Sequence, residues 1–158
     1  MKTILVPVDF SRVTAAVVEQ ASDLARALPA RVVLLTVIQP PIIISEYGPL
    51  LGNIVEITAA GEKHAAKQLA RLEERLAGAF VKAESLQLNG SPIRLIVDQA
   101  KKLEADYIVM GSHGHTALYD LLVGSTTHGV LMRATCPVVI VPSPAMAKPL
   151  KAAKGKAC

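Results

Sequence analysis

Glycines and hydroxyl-bearing residues are concentrated in one short stretch of the sequence, YIVMGSHGHTALYDLLVGSTTHG, which runs from Tyr107 to Gly129. Four of the chain's ten glycines lie in it, and the third of them is followed by Ser125, Thr126 and Thr127. Glycine lets backbone amides approach an anion without a side chain in the way. A helix N-terminus adds unpaired N–H groups and about half a positive charge. The stretch therefore predicts a cradle for the phosphates of a nucleotide.

A carboxylate is predicted to lie at the same edge of the fold. Asp9 ends an apolar run at the N-terminus, and ligands of open parallel sheets bind beyond the carboxyl ends of the strands. Asp9 suits a ribose hydroxyl or a bound Mg²⁺, which prefers oxygen ligands. Simpler interpretations remain open for each residue: Gly111 as a turn glycine, Gly124 with Ser125 as a helix cap, and Asp9 as a cap beside Ser11.

The histidines of this region predict no catalytic group. His113 and His115 flank Gly114 and could form a metal pair, but no further ligand accompanies them. A position near the phosphates is favoured for His113, and an exposed loop position for His115. The sequence contains neither G-x-G-x-x-G nor G-x-x-x-x-G-K-[ST], and the spacing of its residues suggests no nucleophile–base–orienter set.

Apolar runs alternate with helical patterns along the chain, which predicts a parallel sheet covered by helices on both faces. Strands are expected at 3–8, 31–38, 80–88, 106–110 and 137–141, and helices after Ser11, over 54–78, after Ser91 and over 125–134. Pro7 predicts an irregularity in the first strand, because proline cannot donate to a sheet ladder. The apolar run Ile42–Ile44 lies in a predicted long loop and could pack on its own domain, cover a bound base or touch a partner subunit.

The composition is that of one compact domain. The 158 residues are 51% apolar, and the net charge of +4 comes from Lys148, Lys151, Lys154 and Lys156; the remaining chain has 13 basic and 13 acidic residues. Nucleic-acid binding is therefore poorly supported. No apolar run is long enough to span a membrane and no secretory signal is recognisable, so a cytoplasmic location is expected. Two cysteines predict no disulfide framework.

Three segments together resemble the universal stress protein family. The residues GSHG at Gly111–Gly114, a gap of nine residues and GS at Gly124–Ser125 match the G-x-x-G-(nine residues)-G-[ST] signature of its ATP-binding branch. ILVPVDFS at Ile4–Ser11 and CPVVIVP at Cys136–Pro142 are also similar to family sequences. The resemblance implies a Rossmann-like α/β fold with an open five-stranded parallel sheet in the order 3-2-1-4-5. This domain would span residues 1–142, with a flexible Lys/Ala-rich tail at 143–158.

The resemblance also implies roles for individual residues. Asp9 would contact ribose or metal, Val37 would meet adenine through its backbone, and Pro7 and Val8 would line the pocket of base and sugar. The phosphate end would comprise Gly111, Ser112, His113, Gly114, Gly124, Ser125, Thr126 and Thr127. A homodimer is implied, in which the last strand, Pro137–Val141, pairs across a two-fold axis. Gly129 departs from the family pattern, since it stands inside a helix at a cost of roughly 1 kcal/mol relative to alanine.

These observations favour a dimeric module of the stress response that binds ATP, with possible Mg²⁺ and at most slow hydrolysis, because no Walker-type lysine is present. The alternative is a dimeric interaction protein that binds no nucleotide. A phosphotransfer or nucleotidyl-transfer enzyme is disfavoured because neither H-I-G-H nor S-G-G-x-D-S occurs. The preference among ATP, ADP and AMP stays open.

Overall fold

The structure is a computed structural model that describes residues 1–39, 51–112 and 123–143, with the backbone alone at 51–54. In chain order its elements are β1 (Lys2–Pro7), α1 (Thr14–Ala27), β2 (Ala30–Ile38), α2 (Leu51–Gly78), β3 (Ala83–Asn89), α3 (Pro92–Lys102), β4 (Tyr107–Gly111), α4 (Ser125–Leu131) and β5 (Val138–Val141). All strand pairs are parallel and the order is β3-β2-β1-β4-β5. The predicted fold class and strand order are confirmed.

Two separate apolar cores cover the two faces of the sheet. Ile4 and Val6 of β1 pack with α1 and α2, whereas Leu5 packs on the other face with Ile96 of α3 and Val130 of α4. All five side chains are at most 3% exposed. Because both faces are covered, the central strands are continuous apolar runs without polar alternation. Each such side chain contributes about 1.5–3 kcal/mol by leaving water.

Pro7 ends the pairing between β1 and β4, which is the irregularity that the sequence predicted. The amide of Val8 donates to the Leu35 carbonyl of β2 at 2.8 Å, and successive residues of a strand point their backbone groups to alternate sides. The backbone nitrogen of Pro7 therefore faces β4, but it is part of the proline ring and has no hydrogen to donate to that strand. The β1–β4 register contains only Ile4↔Tyr107 and Leu5↔Ile108. The sheet thus opens between β1 and β4, where the strand order reverses.

The third strand begins later than predicted. Phe80 was expected in β3, but it lies in the turn after α2, is 98% exposed and has a φ of 59°. The amides of Val81 and Phe80 donate to Leu76 and Ala77 carbonyls, at 3.0 and 2.9 Å respectively. This is the Schellman termination of a helix, which requires a left-handed residue between helix and strand. Phenylalanine fills a position that glycine usually occupies, so this turn has no local sequence signal.

Two helix ends also differ from the prediction. α4 ends at Leu131 and not at 134; the amide of Arg133 donates to the Val130 carbonyl three residues back at 3.0 Å, which replaces the i→i−4 bond of a continuing helix. At α1 the N-cap is Val13, and the hydroxyl oxygen of Ser11 is buried without a hydrogen-bond partner among the described residues. The predicted capping role of Ser11 is therefore wrong. Residues 42–44 lie outside the described ranges.

Close packing of α3 on α4 explains the glycine inside α4. A Cβ built on Gly129 would lie 2.5 Å from Cδ1, 2.9 Å from Cγ1 and 3.2 Å from Cγ2 of Ile93. Real Cβ atoms do not approach other atoms this closely. Gly129 thus lowers the helix propensity of α4, but it allows α3 and α4, which cover one face of the sheet, to pack closely.

Candidate nucleotide-binding site

A cavity of about 510 Å³ lies at the carboxyl edge of the sheet, where β1 and β4 separate. This volume is within the range of small-molecule sites. Its walls come from the ends of β1, β2 and β4 and from all four helices. Of the site residues predicted from the sequence, the cavity brings together Pro7, Val8, Asp9, Val37, Gly111, Gly124, Ser125, Thr126 and Thr127.

One end of the cavity is the first turn of α4. The Gly124 amide donates to the Ser112 carbonyl at 2.7 Å, and the Gly124 carbonyl accepts the first helical bond from His128 at 2.9 Å. The next amides, those of Ser125, Thr126 and Thr127, are donors for which a helix provides no internal acceptor. Gly124 has extended φ and ψ of −64° and 157°, which any residue adopts. Glycine is therefore favoured here because it has no side chain that would cover the amides of Ser125, Thr126 and Thr127.

Thr127 and Ser112 hold this turn in place. The Thr127 hydroxyl donates to the Gly111 carbonyl at 2.8 Å and is 3% exposed as a residue. Ser112 is absent from the cavity wall: its amide donates to the Val141 carbonyl, and its hydroxyl oxygen accepts the amide of Ser143 at 3.2 Å. These bonds fix α4 against the ends of β4 and β5, so both side chains position the amides of the turn.

Asp9, two residues after the end of β1, also lines the cavity. Its Oδ1 accepts the amide of Ser11 at 3.0 Å, which is an Asx-turn ahead of α1 and not a cap of that helix, whose N-cap is Val13. The following residue, Phe10, has a φ of 60°, and such left-handed backbone in a bulky residue is a strained feature that concentrates at functional sites. Within the described ranges, no group of three or more His, Cys, Asp or Glu residues could hold a metal ion. Asp9 could therefore contribute one ligand to a cation, with the remainder supplied by a bound phosphate or water.

The end of β2 presents backbone groups to the cavity. The Leu35 carbonyl faces β1, where it accepts the Val8 amide. Backbone groups alternate along a strand, so the N–H and C=O of Val37 face the β1 side, as the Leu35 carbonyl does. The last residue of β1 that pairs with β2 is Pro7, opposite Leu35, so Val37 lies beyond the end of this pairing. Ile38 faces the other way and accepts the amide of Gly90. A heteroaromatic ring edge placed beside Val37 would find both a donor and an acceptor.

Several cavity residues were not identified from the sequence. They lie on α1, α2 and α3: Val13, Thr14, Val17, Gly61, His64, Ala65, Pro92 and Ile96. His64 is exposed, and its Nε2 lies 3.4 Å from Gln68 Nε2. The one local signal for this wall is Gly61, a glycine within a helical pattern. His113 and Gly114, which the phosphate motif includes, lie outside the described residues.

Comparisons with known proteins agree on one family. A family model described as "Universal stress protein family" matches residues 1–142. Universal stress protein YxiE of Bacillus subtilis is 31% identical over 144 residues, which are 87% of this chain and 96% of that protein. Among solved structures, universal stress protein UspA from Lactobacillus plantarum has a TM-score of 0.78 and 29% identity, covering 89% of this chain and 97% of its own.

A more distant likeness concerns the fold. The universal stress protein from Archaeoglobus fulgidus in complex with dAMP has a TM-score of 0.63 at 22% identity, covering 89% of this chain and 97% of that one. Among the described helices of the present chain, none is long and apolar enough to cross a membrane.

Proposed function

Because this chain belongs to the universal stress protein family, we propose that it binds ATP in the cavity at the carboxyl edge of its sheet and acts as a nucleotide-dependent regulatory module. The observation that carries this proposal is the first turn of α4. Ser125, Thr126 and Thr127 line the cavity together with Gly111, and they form the first turn of α4; such a turn favours phosphate oxygens through its donors and its dipole. The Archaeoglobus protein, of the same fold, is described in complex with an adenine nucleotide.

The rest of the cavity suits the other parts of the ligand. We place the phosphates at Gly111, Gly124 and the α4 turn, and the base beside the backbone of Val37. Pro7 and Val8 offer apolar contact to base and sugar, since both line the cavity between these ends. Asp9 would accept a ribose hydroxyl or hold a Mg²⁺ carried by the phosphates. Gly114 and His113 complete the proposed phosphate loop on the strength of the sequence motif.

We expect the protein to hold nucleotide and to turn it over slowly. Phosphoryl transfer needs a positioned base or water and cations clustered on the γ-phosphate. The sequence contains no Walker-type lysine motif. Binding energy would then serve to change the surface that the protein presents to partners.

The proposal includes a homodimer through the edge strand β5. Val138, Val139 and Ile140 are only half-buried, and Leu131 and Met132 nearby in the chain are 41% and 70% exposed. An apolar edge strand has a row of unpaired backbone groups that needs a cover. A second copy of β5 across a two-fold axis would supply both the hydrogen bonds and the apolar contact.

The test of ATP binding uses Gly124, whose extended backbone accepts any side chain without strain. Isothermal titration calorimetry should show ATP binding to the native chain, weaker binding to Gly124→Ala and none detectable for Gly124→Val, because the valine would cover the amides of the turn. Thermal unfolding without ligand should be similar for all three. An unchanged ATP affinity in Gly124→Val would defeat the assignment. Native mass spectrometry of the purified protein, with no bound nucleotide and no uptake of added ATP, would favour the nucleotide-free interaction protein.

A further inference from the structure

Hydrogen bonds to two different elements meet at Ser112, the residue that follows β4. Its amide donates to the Val141 carbonyl of β5 at 2.8 Å, its carbonyl accepts the Gly124 amide at 2.7 Å, and its hydroxyl oxygen accepts the Ser143 amide at 3.2 Å. The residue is buried. Ser112 thus joins the first turn of α4 to the last residue of β5 and to the chain that follows it.

The hydroxyl of Ser112 takes the place of a backbone acceptor. β4 and β5 pair in parallel up to Gly111 and Val141, and the evenly spaced bonds of a parallel ladder would next take the Ser143 amide to the Ser112 carbonyl. That carbonyl accepts the Gly124 amide instead. The hydroxyl therefore continues the pairing of the two strands, while the backbone of the same residue holds α4.

β5 is a short strand with one open side. It has four residues, Val138–Val141, and among the described strands it pairs with β4 alone. Short elements at the edge of a fold open locally at a lower free energy than the core does. Opening of β5 at Val141 and Ser143 would release Ser112, and the Gly124 amide would lose a fixed acceptor. The position of the α4 turn therefore depends on how firmly β5 is held.

We infer that Ser112 is a positioning residue that couples the phosphate turn of α4 to the edge strand β5. Phosphates held by the turn favour the closed arrangement, in which Ser112 keeps its bonds to both elements, and so does a second copy of the chain that pairs along β5. Each then binds a site that the other has already ordered, so each tightens the binding of the other. This inference rests on the ATP binding and the homodimer proposed above.

The dimer dissociation constant should depend on ATP. If each subunit binds ATP more tightly in the dimer than in the monomer by some coupling factor, saturating ATP lowers the dimer dissociation constant by the square of that factor, because the dimer has two sites. Coupled sites typically show a factor of about 5 or more. Sedimentation equilibrium of the native chain should therefore show a fall of about 25-fold or more with ATP. Adenosine has no phosphate and should leave the constant unchanged.

Two matched variants separate positioning from direct contact with the ligand. Ser112→Ala removes the acceptor of the Ser143 amide and keeps the backbone bonds of residue 112. The coupling factor should then fall by about 2- to 10-fold and approach 1, since one hydrogen bond is lost. Ser125→Ala removes a hydroxyl from a residue that lines the cavity, so it should weaken ATP binding and leave the coupling factor at its native value.

Amide hydrogen exchange followed by NMR measures the coupling in the native chain without a substitution. ATP should slow exchange at the amides of Ser112 and Ser143 by about fivefold or more, and dilution from dimer to monomer should speed it. In Ser112→Ala the effect of ATP on the Ser143 amide should be lost. If Ser112→Ala does not fold, the exchange rates of the native chain decide the question by themselves.

The outcomes separate this inference from the proposed function. If the native chain binds ATP and forms a dimer, but the coupling factor lies within about twofold of 1, the inference is overturned although ATP binding stands. The same coupling factor in Ser112→Ala as in the native chain, or an effect of adenosine equal to that of ATP, would also overturn it. A native chain that binds ATP and stays monomeric would overturn the homodimer and the inference together. If the native chain binds no ATP, the proposed function itself fails and the inference fails with it.

Discussion

Two helical glycines in this chain should respond in opposite directions to the same substitution. Gly129→Ala and Gly61→Ala each gain about 1 kcal/mol of helix propensity. At Gly129 the new methyl group would stand 2.5 Å from Cδ1 and 2.9 Å from Cγ1 of Ile93, whereas at Gly61 it meets no described atom within 4 Å. Overpacking of this kind costs about 1–3 kcal/mol. We therefore expect Gly61→Ala to be stabilised by about 1 kcal/mol and Gly129→Ala to be destabilised by up to about 2 kcal/mol.

The difference in the free energy of unfolding between Gly61→Ala and Gly129→Ala is the more decisive measurement. The gains in helix propensity cancel in this difference, and the overpacking cost of about 1–3 kcal/mol remains. Urea unfolding followed by circular dichroism, at one fixed protein concentration and without nucleotide, measures it directly. In thermal melts it corresponds to a separation of about 2–12 °C for a chain of this size. Equal stabilisation of both variants would refute the explanation of Gly129.

A double-mutant cycle identifies Ile93 as the neighbour responsible. Ile93→Val removes Cδ1, the atom nearest to the added methyl group, at its own cost of about 0.5–1.5 kcal/mol. In that background Gly129→Ala should cost less than in the native chain. A coupling free energy near zero would show that some other contact limits the α3–α4 distance.

Three further predictions concern the turn after α2, the sheet edge and one ion pair. Phe80→Gly should raise the free energy of unfolding by roughly 1 kcal/mol, because it relieves a left-handed φ of 59° and removes a side chain that is 98% exposed; urea unfolding that shows a loss would contradict this. Ile140→Pro should turn a dimer into a monomer in light scattering. The Pro137 and Val141 carbonyls accept hydrogen bonds from β4 and the residue after it, so the amide of Ile140 faces outward, where proline would remove the donor. An unchanged mass would place the dimer contact elsewhere. Asp106→Asn should lower stability at pH 7, because bonds from the Lys2 ammonium and from a backbone amide lower the pKa of Asp106 from 3.8. A depressed carboxyl pKa stabilises the fold above the unfolded value and loses that effect as the pH falls through the folded value. The difference in urea midpoint between variant and native chain should therefore shrink as the pH falls from 3.8 through the lowered pKa of the folded state, and a constant difference would refute the reasoning.

The sheet was predictable from the sequence because its strands are buried on both faces. Lys2–Pro7 and Ala30–Ile38 each contain an unbroken apolar run, Ile4–Pro7 and Val32–Leu35, and alternation with helices indicates parallel strands. The order of the strands came from the family resemblance. The start of β3 could not be predicted, because the alternating pattern extends into Phe80 and the left-handed turn there has no glycine to mark it.

The strand-end residues of the site were predictable because parallel strands bring their carboxyl ends to one edge. Pro7, Asp9, Val37 and Gly111 all reach the cavity for that reason. The exception is Ser112, one residue further along, which turns toward Val141 and Ser143. Their roles toward a ligand stay predictions, as do those of residues 113–122, which lie outside the described ranges.

The wall formed by α1 and α2 could not be predicted, because it depends on where two helices cross a sheet edge that is distant in sequence. Val13, Val17 and Ala65 read as ordinary core positions, and they are buried ones. Nothing local distinguishes a core position that faces another side chain from one that faces open volume. Among the cavity residues on α1 and α2, Gly61 is the one whose type disagrees with its helix.

The opening between β1 and β4 is caused by the covalent structure of Pro7, and this has a consequence for how any occupant arrives. Proline has no N–H, so no hydrogen bond donated by Pro7 to β4 has to break before a molecule reaches the gap. The two central strands need not separate, and the apolar layers above and below them stay intact. Entry of a ligand at this point of the sheet edge therefore does not have to compete with a backbone donor of Pro7.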